Sequence, residues 1–184
     1  ASVETLGSIQ ILLIDKTGTL TENSQRVKKL WLREENYLTP LLKACVLGNT
    51  ATLIEKGNNS FDIAGSKTDG ALLLFAKEKI KNIEQLKSGQ VIEEYEFDSD
   101  TKTILTIVKE NNKNYLFVRG APENILKESK LTTGQKNKIT NLFEEYAKEG
   151  LRIVAFARKE NVHETKERSN LEQALEFLGF VGIY

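Results

Sequence analysis

The sequence predicts an α+β domain: an antiparallel β-sheet flanked by helices, preceded by a short N-terminal piece of a separate α/β unit. Three observations lead there. Residues Val91 to Phe97, Thr103 to Lys109 and Tyr115 to Arg119 form three successive strand-like runs joined by short polar connections, with Asn111-Asn112 as the last turn. Connections that short imply an antiparallel meander. Elsewhere apolar residues recur at helical spacing: Leu38, Leu41, Leu42 and Cys45, then Leu72, Leu73, Ala76 and Ile80, then Ile139, Leu142, Phe143 and Tyr146. Near the N-terminus, the run Ile11-Leu12-Leu13-Ile14 halts at Asp15-Lys16-Thr17-Gly18, the pattern of a buried parallel strand ending in a loop.

The elements follow in order. Residues 1–25 hold that strand and a polar connector, Thr21-Glu22-Asn23-Ser24-Gln25, suited to a hinge. The second domain is expected over 26–176, opening with a loosely alternating strand from Arg26 to Leu32. Thr39-Pro40 starts a helix, Thr as cap and Pro at the first helical position, and Gly48 ends it. Cys45 lies on the apolar stripe and reads as a packed core thiol. Residues 56–68, rich in Gly, Asn and Ser, read as loop, with Asp69 at the mouth of the next helix, where an N-cap is the plain structural role. Ala121-Pro122 opens a short helix, and Thr132 with Gln135 forms a capping box for a longer one. Leu151 to Ala157 is an apolar strand interrupted by Arg152, and the polar stretch 159–170, with the lone His163, reads as a solvated surface loop. Residues 177–184 are expected as a return segment toward the N-terminal unit.

Composition narrows the function. The chain has 184 residues, 40% hydrophobic and 28% charged, with Lys+Arg and Asp+Glu both 26. Such a balance gives no electrostatic reason to expect nucleic acid or an anionic membrane as partner. No apolar run approaches the roughly 18 residues needed to span a bilayer. A single Cys excludes an internal disulfide. With no Met, the chain is expected to be an excised piece of a longer protein.

Two places suggest chemistry. Asp15 at a strand tip, followed by a Thr/Gly loop whose N–H groups can hold phosphate oxygens, can act as a nucleophile toward a phosphoryl group. Against that stands an ordinary strand-to-turn junction. Downstream, four features would suit a nucleotide. Phe97, five residues before Lys102, could stack on a base while the Lys approaches phosphate. Arg119 precedes Gly120, which lets a ligand approach the backbone. Asp69 could accept from an adenine amino group. Arg152, placed in an apolar strand, would be costly without an anionic partner. Taken singly, a core Phe, a solvated Lys, a strand-end Arg and a salt-bridged Arg explain each feature as well.

Their order along the chain is more specific. Asp15-Lys16-Thr17-Gly18-Thr19-Leu20-Thr21 resembles the phosphorylation signature of the P-type ATPases. Gly65-Ser66-Lys67-Thr68-Asp69-Gly70-Ala71-Leu72 is similar to that family's acidic adenine-site motif, Phe97 to Lys102 to its Phe-x-x-x-x-Lys element, and Gly150-Leu151-Arg152 to its Leu-Arg element. Arg119-Gly120-Ala121-Pro122-Glu123 is similar to the family's Lys-Gly-Ala-Pro-Glu with Arg in place of Lys. The closing Phe177-Leu178-Gly179-Phe180-Val181-Gly182-Ile183 resembles the return strand.

The resemblance covers essentially the whole chain. It implies the nucleotide-binding domain of a cation-transporting P-type ATPase, with the start of its haloacid-dehalogenase-like phosphorylation domain, closest to the calcium and sodium/potassium pump branch. Asp15 is then the phosphorylated residue. Asp15 and the Thr17 backbone carbonyl help to hold Mg²⁺, and Asp69, Phe97, Lys102, Arg119, Gly120 and Arg152 receive ATP. Thr17 stands where the related phosphatases carry an acid/base Asp, so an aspartyl phosphate should persist. The chain is expected to be a monomeric cytoplasmic domain that binds ATP without turnover. Its transported cation would bind in membrane helices outside this sequence. A freestanding haloacid-dehalogenase-like phosphatase and a non-catalytic adenine-nucleotide module are the alternatives.

Overall fold

The computed structural model describes residues 25–57, 60–162 and 167–184. Asp15, Thr17 and His163 lie outside them. Six strands form one antiparallel sheet: β1 (Val27–Leu32), β4 (Gln90–Tyr95), β5 (Thr103–Glu110), β6 (Lys113–Gly120), β7 (Arg152–Glu160) and β8 (Glu176–Ile183). Their spatial order is β1-β8-β7-β6-β5-β4. The predicted meander is β4-β5-β6, and Asn111 and Asn112, at φ +50° and +61°, make the tight β5–β6 turn.

The helices are α1 (Leu38–Val46), α2 (Lys67–Lys79), α3 (Pro122–Lys127), α4 (Thr133–Lys148) and the one-turn α5 (Arg168–Leu171). They cover both faces of the sheet. On one face, residues of α1 and α2 such as Leu41, Leu42, Leu72 and Phe75 share a core with Phe117, Phe156 and Leu178. On the other, Ile125, Leu126 and Ile139 of α3 and α4 pack with Leu105, Leu116, Ala155 and Phe180. Neighbouring residues on one strand therefore enter different cores, as Leu116, Phe117 and Val118 do. Strands buried on both faces read as continuous apolar runs.

The structure adds to or departs from the sequence expectations at several points. Residues 177–184 run through the interior of the sheet: β8 is hydrogen-bonded to both β1 and β7, and Phe177 to Ile183 are all buried. Within 56–68 the loop is mostly a hairpin, β2 (Thr52–Gly57) with β3 (Ser60–Ala64). Side chains of β2 are largely exposed, so no apolar alternation announces it. Thr39 sits inside α1, whose N-cap position is Tyr37. The cap of α2 is Ser66, whose hydroxyl accepts from the Asp69 N–H at 3.3 Å; the Asp69 carboxylate is thereby free for other work. By contrast, the Thr132–Gln135 capping box of α4 is present in full, and Cys45 is fully buried.

Candidate nucleotide cleft

Asp69, Phe97, Lys102, Arg119, Gly120 and Arg152 line one cleft of about 980 Å³. They arrive from four places in the fold. Asp69 comes from the first turn of α2, Arg119 and Gly120 from the end of β6, and Arg152 from the start of β7. Phe97 and Lys102 come from the turn between β4 and β5. The cleft opens over the α1–α2 side of the sheet, with Gly48 and Thr50 from the segment after α1 completing its wall.

Arg119 and Asp69 form the floor. Arg119 is 3% exposed and Asp69 8%. The guanidinium Nη1 lies 3.2 Å from Asp69 Oδ1, and Nη2 donates to Asp69 Oδ2 at 3.3 Å and to the Gly48 carbonyl at 2.6 Å. Asp69 Oδ2 also accepts from the Thr50 N–H at 3.2 Å and the Thr50 hydroxyl at 3.1 Å. A buried carboxylate and guanidinium need this density of partners to offset their lost hydration. Arg119 Nε and Nη1 have no hydrogen-bond partner of good geometry; Nη1 meets Asp69 as an ion pair only. Asn49 ties the two supporting helices together by donating from Nδ2 to the Cys45 carbonyl at 2.8 Å and the Asp69 carbonyl at 2.9 Å. Sequence reasoning missed Asn49 and Thr50. Their one signal is a polar pair just past a helix end.

Phe97 is 62% exposed. That removes the reading of it as a core residue, because a ring so placed buries little apolar area in the protein itself. Lys102, at φ +52°, holds a left-handed conformation at the end of the turn. Its Nζ is 3.9 Å from Glu123 Oε1. Asp98 organises the turn: its Oδ1 accepts from the N–H groups of Asp100 and Thr101, both at 2.8 Å. Those bonds, Thr101 first, hold its carboxyl below the usual carboxylate range. Gly120 has a backbone reason for being Gly. A Cβ there would collide with the Lys102 carbonyl oxygen and approach Thr103 Cα at 2.8 Å.

Arg152 corrects an expectation. It is exposed, not buried, because its strand begins there at the sheet's rim, and its Nη1 donates to Thr68 Oγ1 at 3.0 Å. No desolvation penalty demands an anionic partner. The cation faces the cleft instead. Among the described residues no group of three or more His, Cys, Asp or Glu could hold a metal ion, and no helix there is long and apolar enough to cross a membrane. The expected Mg²⁺ contacts, Asp15 and Thr17, lie outside the described residues.

The family described as "P-type ATPase, cytoplasmic domain N" matches residues 37–184. The chain belongs to that family. The strand β1, which pairs with β8, lies outside the matched residues. Among its relatives, a "Probable cation-transporting P-type ATPase" of Mycoplasma genitalium is 34% identical over 185 residues, covering 98% of this chain and 20% of that protein. A "Calcium-transporting ATPase 1" of Saccharomyces cerevisiae is 30% identical over 225 residues, covering 99% of this chain and 23% of that protein. A "Sodium/potassium exporting P-type ATPase cta3" of Schizosaccharomyces pombe is 27% identical over 241 residues, covering 100% of this chain and 23% of that protein. The chain thus spans about a fifth to a quarter of the length of these relatives.

Proposed function

We propose that this chain is the ATP-binding domain of a cation-transporting P-type ATPase, and that the cleft receives the adenine and ribose of ATP. The observation that carries the reading is convergence. Six residues chosen from motifs between positions 69 and 152 line one cavity, whereas six unrelated residues would scatter over the surface. Adenine stacks on the exposed ring of Phe97. The Arg119–Asp69 pair forms the polar floor beneath the base, with Asp69 Oδ1 accepting from the amino group. Gly120 keeps the backbone low at the cleft wall. Lys102 and Arg152, the exposed cations at the rim, approach the phosphates.

Residues 1–25 are the start of a phosphorylation domain and its hinge, 26–176 the nucleotide-binding domain, and 177–184 the segment that leads back toward the phosphorylation domain. In the complete pump Asp15 is the phosphoryl acceptor. The Asp15 carboxylate and the Thr17 carbonyl contact Mg²⁺, which neutralises charge as the γ-phosphoryl is transferred in line. The chain alone binds ATP without turning it over, as a monomeric cytoplasmic domain of an integral membrane protein. The names of its relatives favour the calcium and sodium/potassium branch. The transported cation binds elsewhere in the pump.

Calorimetric or NMR titration with ATP tests the site. Phe97→Ala is expected to weaken binding about tenfold, in line with the roughly 1–3 kcal/mol of a base–aromatic stack. Unchanged affinity would sink the assignment.

A further inference from the structure

The ring of Phe97 is too exposed for packing to aim it, so its direction depends on the backbone of the turn that carries it. That turn contains a non-glycine residue, Lys102, in the left-handed region, a conformation that persists only where surrounding structure enforces it. Its internal bonds run from Asp98 N–H to the Thr103 carbonyl at 3.2 Å and from Lys102 N–H to the Asp98 carbonyl at 2.8 Å. One outside group grips both ends. Arg168, on the one-turn helix α5, donates from Nη1 to the carbonyl of Glu96 at 2.9 Å. From Nη2 it donates to the carbonyl of Thr103 at 2.5 Å and to the Thr103 hydroxyl at 2.8 Å. The bridged carbonyls belong to the residue before Phe97 and the residue after Lys102. Glu172 completes the device, accepting from Arg168 Nε at 3.3 Å and from the Thr103 hydroxyl. Both charged side chains are largely shielded, 19% and 11% exposed, so the bonds are little screened.

We infer that Arg168 is a positioning residue for nucleotide binding, a guanidinium clamp that fixes the Phe97–Lys102 turn in its stacking conformation without touching the nucleotide. The inference rests on the ATP reading above. A planar fork is needed because the two carbonyls must be held at a fixed separation; the single ammonium of Lys supplies charge but cannot span both. Loosening the turn makes binding order it anew, and affinity falls by that cost.

The test is a cycle on the chain itself, comparing wild type, Arg168→Lys, Phe97→Ala and the double variant by ATP titration, with amide hydrogen exchange read at residues 98–102. Arg168→Lys is expected to weaken ATP roughly fivefold, the scale of a partly unpopulated competent state, and to speed exchange in the turn while leaving the β6 and β7 amides protected. With Phe97→Ala already present, the Lys substitution should cost clearly less than fivefold, because the ring's share of the clamp's effect is gone and only the share carried by Lys102 remains. A fivefold loss that persists without the ring, or unaltered exchange at 98–102, overturns the clamp while leaving the ATP reading intact. A wild-type chain that fails to bind ATP overturns both.

Discussion

Arg119 and Asp69, 50 residues apart in sequence, meet in a buried ion pair beneath the cleft, Nη1 to Oδ1 at 3.2 Å and Nη2 to Oδ2 at 3.3 Å. The pair joins the end of a central strand to the first turn of α2. It thus couples the integrity of the cleft to that of the fold.

Removing one member should cost more than the pair contributes, since the other charge is left in a dry site. Arg119→Ala is expected to destabilise by about 3–5 kcal/mol, measured by urea denaturation. Arg119→Lys restores the residue usual in the resembled motif but gives up the reach to both Asp69 and the Gly48 carbonyl, and should cost about 1–2 kcal/mol. A loss below roughly 1 kcal/mol for the Ala variant would mean that Thr50 alone satisfies the Asp69 carboxylate.

Gly120 answers to sterics. Its missing Cβ makes room for the backbone of Lys102 and Thr103, and a backbone cannot swing aside as a flexible side chain can. Gly120→Ala should therefore destabilise by about 1–3 kcal/mol through overpacking and weaken ATP binding by displacing Lys102. Thermal unfolding with nucleotide titration checks both effects. A variant of wild-type stability and affinity would contradict the close approach.

Acid should unfold the protein partly through Glu110. Its carboxylate accepts from the buried Lys43 ammonium at 2.5 Å and from the Ser88 hydroxyl at 2.9 Å. The Lys43 bond, ahead of the others, holds its pKa below the ordinary 4.5. A carboxyl whose folded pKa is depressed binds fewer protons when folded than when unfolded. Its stabilisation is complete above pH 4.5 and is lost as pH falls through the folded value. Denaturation midpoints between neutral pH and about pH 3 should fall less steeply for Glu110→Gln than for wild type. Asp62, Asp98 and Glu176 are held low as well, so the difference between the two slopes is the readout, and identical slopes would remove Glu110 from the account.

Local signals in the sequence were reliable where short-range physics decides. The Asn111-Asn112 turn, the Thr132–Gln135 capping box and the meander need only neighbours a few residues away. Burial was less legible. Arg152 looks interior because Leu151, Ile153 and Val154 surround it in sequence, yet the strand starts at the sheet rim and the side chain reaches Thr68 in the open. The β2–β3 hairpin hides for the opposite reason. Its first strand is largely exposed and does not alternate, its second is only five residues long, and the backbone pairing of Thr52 to Gly57 with Ser60 to Ala64 defines it.

By itself the sequence determined the α+β class, the antiparallel meander and the motif residues from Asp69 to Arg152, because period, turn chemistry and residue type are local properties. Tertiary structure alone decided what those residues do to one another. It set Asp69 against Arg119 instead of at a helix cap, exposed Phe97, and brought Arg168 from 65 residues away to the carbonyl of Thr103. The physical reason is that desolvation and hydrogen-bond satisfaction depend on what packs around a group. In this protein those neighbours come from strands and helices far apart in the chain.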